Sequence, residues 1–476
     1  MTDRTCDVCV VGAGSAGLSV ASGCAQLGLD TVLIEHGTMG GECLNTGCVP
    51  SKALLAAAKR VHAATAPAIA GIGNGEPAVD FGAVKDGLLD VIATIAPHDS
   101  AERFEDLGAT VLRGTARFRD AQTITIDSDT VRARWFVLAT GSRPAMPDIP
   151  GLDPDSILTN ETIFGLRDKP DHLVILGGGP IGIEMAVAHR RLGVQVTLIE
   201  RSTILPHDEP ELVEVLRTTL RDGAITILEH AAIRRVAHGP GSIAVTMEWQ
   251  GETTIVTASH CLVATGRVPA IDALNLEAAK IDSTAAGITV DARLRTSQLH
   301  IFALGDVIDG PRFTHVAGYQ AGIVVRNLAF RLPAKVDYSA LSWVTYADPE
   351  LAHVGLTEAA ARKRHGRRVT VQTVPLARND RAVAERRTSG LLKVVVGRRG
   401  RILGASILAP AAGEIIGLWC VAVSRKLTLK AIADLMLPYP TLGEIAKTAA
   451  TDYFSPKLFS TTTRRVVRAL DRLPRW

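Results

Sequence analysis

Residues 6–17, CDVCVVGAGSAG, and residues 172–182, HLVILGGGPIG, carry one pattern written twice. In each, a short apolar run leads at once into Gly-x-Gly-x-x-Gly: Gly12, Gly14 and Gly17, then Gly177, Gly179 and Gly182. A helical pattern follows, then a second apolar strand, 31-TVLIE-35 or 196-VTLIE-200. Its acid stands 18 positions after the third glycine in both copies. Each copy is later closed by a strand ending in Ala-Thr-Gly, within 135-WFVLATGSRP-144 and 261-CLVATGRVP-269. One glycine-rich turn says little, because such turns are common; the strand–turn–helix–strand–Glu repeat is specific. The first glycine allows a tight turn, the second lets a pyrophosphate approach the backbone, and the third lets the helix pack close to its strand. The helix N-terminus offers unpaired N–H groups and a partial positive charge to the phosphates. Glu35 and Glu200 would accept hydrogen bonds from ribose hydroxyls. The bland alternative, glycines that only pack helix on sheet, does not account for two agreeing copies. The expectation is an α/β chain with two Rossmann-like domains and two bound dinucleotides.

Composition sets the frame around that repeat. A chain of 476 residues is too long for one core, which implies two to four domains. The net charge of +3 gives no electrostatic footprint for nucleic acid. Seven scattered cysteines, an odd number, argue against a secreted disulfide scaffold. The start, MTDRTCDVCVVGAG, lacks the regions of a signal peptide, and no charge-free apolar run approaches the roughly 20 residues of a membrane span. A cytoplasmic protein is expected.

Two of the seven cysteines, Cys43 and Cys48, share the segment 40-GGECLNTGCVPSK-52. In a regular helix residues five apart rise about 7.5 Å, beyond the roughly 7 Å limit of a disulfide's Cα separation. They can bridge only across a distorted turn, which Asn45 and Gly47 tolerate. Such a bridge would be accessible and redox-labile; spacing alone equally allows two separate buried cysteines. Cys6-x-x-Cys9 lies in a strand, where residues three apart face opposite sides, and reads as core. A redox cofactor that stays bound belongs beside Cys43 and Cys48, which points to FAD in the first site. Glu200 would repel a 2′-phosphate in the second, favouring NADH over NADPH, although Arg201 is adjacent.

With these motifs in place the chain resembles the class I flavoprotein disulfide reductases: lipoamide dehydrogenase, glutathione reductase and mercuric reductase. GGECLNTGCVPSKAL resembles their redox-active disulfide segment, 301-IFALGDV-307 their second FAD motif, and 314-THVAGYQA-321 the helix beneath the flavin. The stretch from 346-YADPELAHVGLTE-358 to 440-PTLGE-444 resembles their dimerisation domain. The resemblance implies electrons passing from NADH through FAD to a Cys43–Cys48 disulfide. Cys48 would be the thiolate beside the flavin and Cys43 the outer thiol that meets substrate. Lys52 would lie near the flavin, paired with Glu184, where a cation favours both reduced flavin and thiolate. The implied FAD residues are Gly12, Gly14, Ser15, Ala16, Gly17, Glu35, Gly41, Lys52, Ala116, Thr140, Gly141, Ser142, Asp306 and Ala317. Those for NADH are Gly177, Gly179, Pro180, Ile181, Gly182, Glu200 and Gly266. The implied architecture is α/β: an FAD domain in 1–145 and 270–338, a nicotinamide domain in 146–269, and an α+β interface domain in 339–476. A homodimer follows, its sites completed by Tyr439 and Glu444 of a second subunit.

One departure matters. Disulfide-reducing members carry a motif resembling His-Pro-Thr-Leu-Ser-Glu, whose histidine is the acid–base partner of the outer thiol. Here 437-LPYPTLGEIAKTAA-450 puts Tyr439 in its place and keeps Glu444. A phenol, with an ordinary pKa near 10, is a poor base at neutral pH. Tyrosine there, 96-APHDS-100 and 159-TNETIF-164 resemble mercuric reductase, but 464-RRVVRALDRLPRW-476 has no terminal cysteine pair and no metal-carrier domain precedes Cys6. The first reading is a disulfide oxidoreductase acting on a thiol or disulfide substrate. The alternatives are a mercuric-type metal-ion reductase and a flavoprotein docking subunit of a larger complex. No resident metal is expected. His36, His98 and His353 read as solvent-facing, capping or packing residues, and Cys420 as core. The basic tail reads as a solvated amphipathic helix, with a membrane or partner surface as the alternative.

Overall fold

The computed structural model describes residues 3–65, 75 and 77–473; residues 474–476, the end of the basic tail, lie outside them. The chain forms two compact units, Met1–Ser202 with Ile225–Val336, and Thr203–Ala224 with Asp337–Trp476.

In the first unit both glycine motifs sit at the ends of central strands. Asp3–Val11 pairs in parallel with Thr31–Glu35 on one side and Asp129–Leu138 on the other, inside a seven-stranded sheet. His172–Leu176 pairs in parallel with Gln195–Ile199 and His260–Val263, inside a four-stranded sheet. The strand ends that lead into the glycine turns, residues 8–11 and 173–176, are apolar and buried because a parallel sheet buries both faces; every residue of Thr31–Glu35 is buried. The duplication extends to single hydrogen bonds. Ala139 N donates to Val11 O and Ala264 N to Leu176 O, each at 2.8 Å. Three antiparallel strands, Ala232–Gly239, Ser242–Trp249 and Glu252–Ala258, follow the second copy. The strand Ile301–Ala303 then joins the first sheet beside Asp129–Leu138, which delivers the turn Gly305–Val307, and Asp306 with it. Cys9 is buried in the central strand and Cys6 half-buried on it; burial pushes both thiols up, Cys6 to about 12.

The second unit is built on a five-stranded sheet in the order Ser342–Thr345, Glu350–Gly355, Ile402–Ala409, Leu391–Val396, Thr370–Pro375. One face packs on helices Ala412–Ser424 and Ile445–Leu458 around the fully buried Trp419. Cys420 packs at the edge of this core. The other face carries a polar row: His353 pairs across strands with Ser406, and Ser406 with Lys393. The Lys393 ammonium reaches Glu209 at 2.9 Å, Glu211 at 3.0 Å and Glu358 at 2.7 Å. A buried cation needs such partners, and this one ties Thr203–Ala224, with its helix Pro210–Asp222, to the sheet. Motif order alone leaves that segment inside 146–269. The tail forms the helix Thr461–Leu470, with no buried residue.

Candidate active site

The redox segment starts where two glycines allow close approach. Gly40 and Gly41 have φ of +86° and +58°, and a Cβ on Gly41 would come within 2.7 Å of Gly14 Cα. The segment is thereby laid against the first fingerprint turn. The helix Gly41–Asn45 stops at Thr46 and a new helix, Cys48–Thr65, begins. At the break a Cβ on Gly47 would meet Glu42 O at 2.9 Å. Asn45 braces the turn, donating to Met39 O at 3.0 Å and to Gly41 O at 2.7 Å.

This break brings the two sulfurs to one hydroxyl. Both cysteines are thiols, and Thr314 Oγ1 lies 3.3 Å from Cys48 Sγ and 3.4 Å from Cys43 Sγ. Thr314 opens the 15-residue helix Thr314–Leu328, whose N-terminal partial charge favours an anion there. Lys52, one turn along from Cys48, donates to Glu184 Oε2 at 2.8 Å; Glu184 is buried on the second fingerprint helix, Pro180–Arg191. Hydrogen bonding from Cys43 and Thr314, together with the Lys52 charge, outweighs burial and lowers the Cys48 thiol to about 6. The Cys43 thiol is driven the other way, chiefly by its hydrogen bond to Cys48 and by burial. Of the two, Cys48 is thereby favoured as the more acidic sulfur and Cys43 as the one that holds its proton.

A polar cluster adjoins the sulfurs. Ser142 Oγ donates to Asp306 Oδ2 at 2.8 Å, and Arg267 Nε donates to Ser142 Oγ at 2.8 Å. Arg267 also pairs with Glu42, to which Asn160 Nδ2 donates at 2.9 Å. Glu42, Asn160, Arg267 and Thr314 were not singled out by the sequence motifs. An acid directly before Cys43 was the one available signal, because the other three are distant in sequence.

Of the remaining motif residues, the fingerprint glycines and their acids fall into two turns, while Thr140, Gly141, Gly266, Ala116 and Ala317 lie on other segments. Glu35 accepts from Ala13 N at 2.6 Å and Gly37 N at 2.7 Å; Glu200 accepts from Gly178 N at 2.7 Å and Ser202 N at 2.8 Å. Each carboxylate braces its own glycine turn and keeps further lone pairs for a ribose. Ser15 and Ala16 open the first helix, Pro180 and Ile181 the second. Gly141 and Gly266 take positive φ at the ends of the Ala-Thr-Gly strands, and Thr140 Oγ1 donates to Ala270 O at 2.7 Å. Ala16 and Ala317 both lie against Gly305, next to Asp306, while Ala116 is buried at the start of Ala116–Asp120. The donor set fits two dinucleotides. Both second glycines have room for a phosphate: a Cβ on Gly14 would reach only Gly41 Cα at 4.0 Å, and one on Gly179 nothing within 4 Å.

Tyr439 and Glu444 belong to the second unit. Tyr439 is exposed and donates from its hydroxyl to Asp380 Oδ2 at 2.8 Å; that bond and the Asp380 charge hold the phenol above its ordinary range. Glu444 ends the short turn before Ile445–Leu458. His36 is exposed beside Glu35, His98 accepts from Arg103 through its carbonyl, and His353 is buried against Ser406 and Gly355 O.

Residues 6–321 match the family model described as pyridine nucleotide-disulphide oxidoreductase, and residues 341–450 match its dimerisation domain. The chain is 36% identical to a mercuric reductase of Streptomyces lividans, covering 94% of this chain and 96% of that protein. It is 35% identical to a dihydrolipoyl dehydrogenase of Geobacillus stearothermophilus, covering 93% and 94% respectively. Among solved structures, the Cu(II) complex of RclA, an HOCl-induced flavoprotein disulfide reductase from Escherichia coli, superposes with a TM-score of 0.84. It is 27% identical, over 94% of this chain and 99% of RclA.

Proposed function

This chain belongs to the pyridine nucleotide-disulphide oxidoreductase family, and from that premise we propose that its Cys43/Cys48 dithiol delivers electrons to a thiophilic metal ion. Within the family it is an FAD- and NAD(P)H-dependent enzyme and a homodimer. FAD, when bound, supplies the two-electron exchange between nicotinamide and disulfide. The residues of this chain do the rest. The fingerprint helices hold the two diphosphates. Lys52, Thr314 and the helix Thr314–Leu328 keep Cys48 anionic. Cys43, giving up its proton to solvent, and Cys48 bind the ion; as the Cys43–Cys48 bond forms, two electrons leave the sulfurs and reduce one Hg(II) to Hg(0), or two Cu(II) to two Cu(I).

Tyr439 carries this choice of acceptor. Reducing a disulfide requires protonating an outgoing thiolate, and an imidazole in that role contributes about 10²–10⁴-fold. A phenol raised further by Asp380 is unsuited to it. Metal reduction needs no proton delivered to an outgoing thiolate; it needs only the Cys43 proton to leave. A mercuric reductase relative and the Cu(II) complex of RclA support the same direction.

A steady-state panel tests the reading: NADH oxidation with Hg(II) or Cu(II) against lipoamide and glutathione disulfide. Metal turnover should dominate, and Tyr439→His should raise disulfide turnover. Faster turnover of a disulfide by the unmodified enzyme would sink it. We extend the reading to NADH over NADPH, on the charge of Glu200, testable as a lower KM for NADH. The domain division 1–145 with 270–338, 146–269 and 339–476 and a cytoplasmic location belong to the same proposal. Among the described residues no helix is long and apolar enough to cross a membrane.

A further inference from the structure

Residues 159–165, TNETIFG, form a tight turn that reaches the redox segment. Ile163 N donates to Thr159 O at 3.0 Å, and Thr159 N to Thr162 Oγ1 at 2.9 Å. Just upstream, Leu158 joins the strand His260–Val263: its N–H donates to Cys261 O and its carbonyl accepts from Val263 N, each at 2.8 Å. From this turn the buried Asn160 projects onto both sides of the break between Cys43 and Cys48. Its amide donates to Glu42 Oε1 at 2.9 Å, one residue before Cys43, and to Thr46 O at 3.3 Å, two residues before Cys48. Arg267 Nη1 donates to the amide oxygen at 3.4 Å. A guanidinium can only donate, so it keeps the oxygen on its own side and leaves the NH2 group to face Glu42 and Thr46.

The far end of the turn is pinned by Lys85, on the helix Phe81–Ile95. Lys85 is 1% exposed, and its ammonium donates to Ile163 O at 3.0 Å, with the rings of Phe81 and Phe164 5.0 and 5.9 Å away. Among the described residues no acid pairs with it. A buried cation without an acid is costly, and an apolar side chain would fill this space without that cost. What the lysine adds is the bond to Ile163 O, which fixes the turn and with it the reach of Asn160.

We propose that Asn160 is the positioning residue that holds Cys43 and Cys48 within bonding reach, and that Lys85 supports it through the backbone of residues 159–165. This rests on the reading of Cys43 and Cys48 as the redox pair. With Glu42 and Thr46 tied to one amide, the helix Gly41–Asn45 is held against the start of Cys48–Thr65. The reduced sulfurs are then near each other before they bond, and less freedom is lost when the bond forms. The exchange that reads this is balanced. The two thiols and oxidised dithiothreitol give the Cys43–Cys48 bond and reduced dithiothreitol, two electrons and two protons passing to the reagent.

The test is the equilibrium constant of that exchange in the holoenzyme. It is measured anaerobically across ratios of oxidised to reduced dithiothreitol, with an acid quench and the disulfide counted by alkylation and peptide mass. Asn160→Ala should lower the constant about tenfold. Asn160→Asp, equal in size but without the donors, should lower it as much. Lys85→Met, which touches neither cysteine, should lower it about threefold while its urea midpoint does not fall. A merely structural Asn160 would lower the urea midpoint and leave the constant alone, and that result would overturn the proposal. If Asn160→Ala does not fold, Lys85→Met decides: an unchanged constant there overturns it equally. If the unmodified enzyme forms no Cys43–Cys48 bond at any ratio, the redox pair itself is wrong, a failure distinct from an unchanged constant in the variants.

Discussion

The two glycine turns are nearly the same object in different company. A Cβ on Gly17 would stand 1.8 Å from Gly12 O, and one on Gly182 2.0 Å from Gly177 O. Gly12 and Gly177 have φ of +103° and +115°, and each backs onto the carbonyl of Ala139 or Ala264. What differs is the neighbour. The first turn is closed over by Gly41 and the redox helix, while Gly179 faces open space. On the proposed reading, the same backbone solution serves FAD retained beside two sulfurs in the first turn and a nicotinamide dinucleotide that comes and goes in the second.

Substitutions can break this comparison at several levels. The largest effect belongs to the sulfurs, which only the first copy has. Cys43→Ser should cut turnover of the acceptor by about 10³-fold or more while flavin reduction by NADH persists, as stopped-flow absorbance would show. Loss of both activities would mean the two halves are not separable. Next come the packing glycines: Gly17→Ala and Gly182→Ala should each cost about 3 kcal/mol by forcing helix from strand, seen in chemical denaturation. A markedly milder loss at one position would end the equivalence of the copies.

The second glycines should differ instead. Gly14→Ala and Gly179→Ala leave the backbone unstrained, so unfolding should change little. Each should weaken its own cofactor by about tenfold or more, the first read as FAD loss on dilution and the second as a raised KM for NADH. The smallest effect is electrostatic. Cys48 is ionised above about pH 6, so its alkylation should accelerate as pH rises through that value. Lys52→Met removes a stabilising cation and should move the midpoint up by about one unit. A midpoint that stays put would assign the acidity to the hydrogen bonds from Cys43 and Thr314 and to the helix N-terminus.

The sequence made the duplicated parts legible and the convergent parts obscure. Apolar runs, glycine spacing and the acids Glu35 and Glu200 declare themselves locally, because each constraint acts within one strand–turn–helix unit. Thr314 is 266 positions from Cys48, and Arg267 225 from Glu42; the family resemblance brings the segment of Thr314 to the flavin, but no local pattern singles out Thr314 or Arg267 as a partner. The attachment of Thr203–Ala224 to the second unit was hidden too, because it depends on Lys393 meeting Glu209 and Glu211 across the chain.

The most direct measurement is anaerobic titration of the flavin-loaded enzyme with NADH, following the long-wavelength absorbance of a thiolate stacked on oxidised flavin. The band should form in the unmodified enzyme, persist in Cys43→Ser and be absent in Cys48→Ser. A band that survives in Cys48→Ser would contradict the assignment of Cys48 as the thiolate at the flavin.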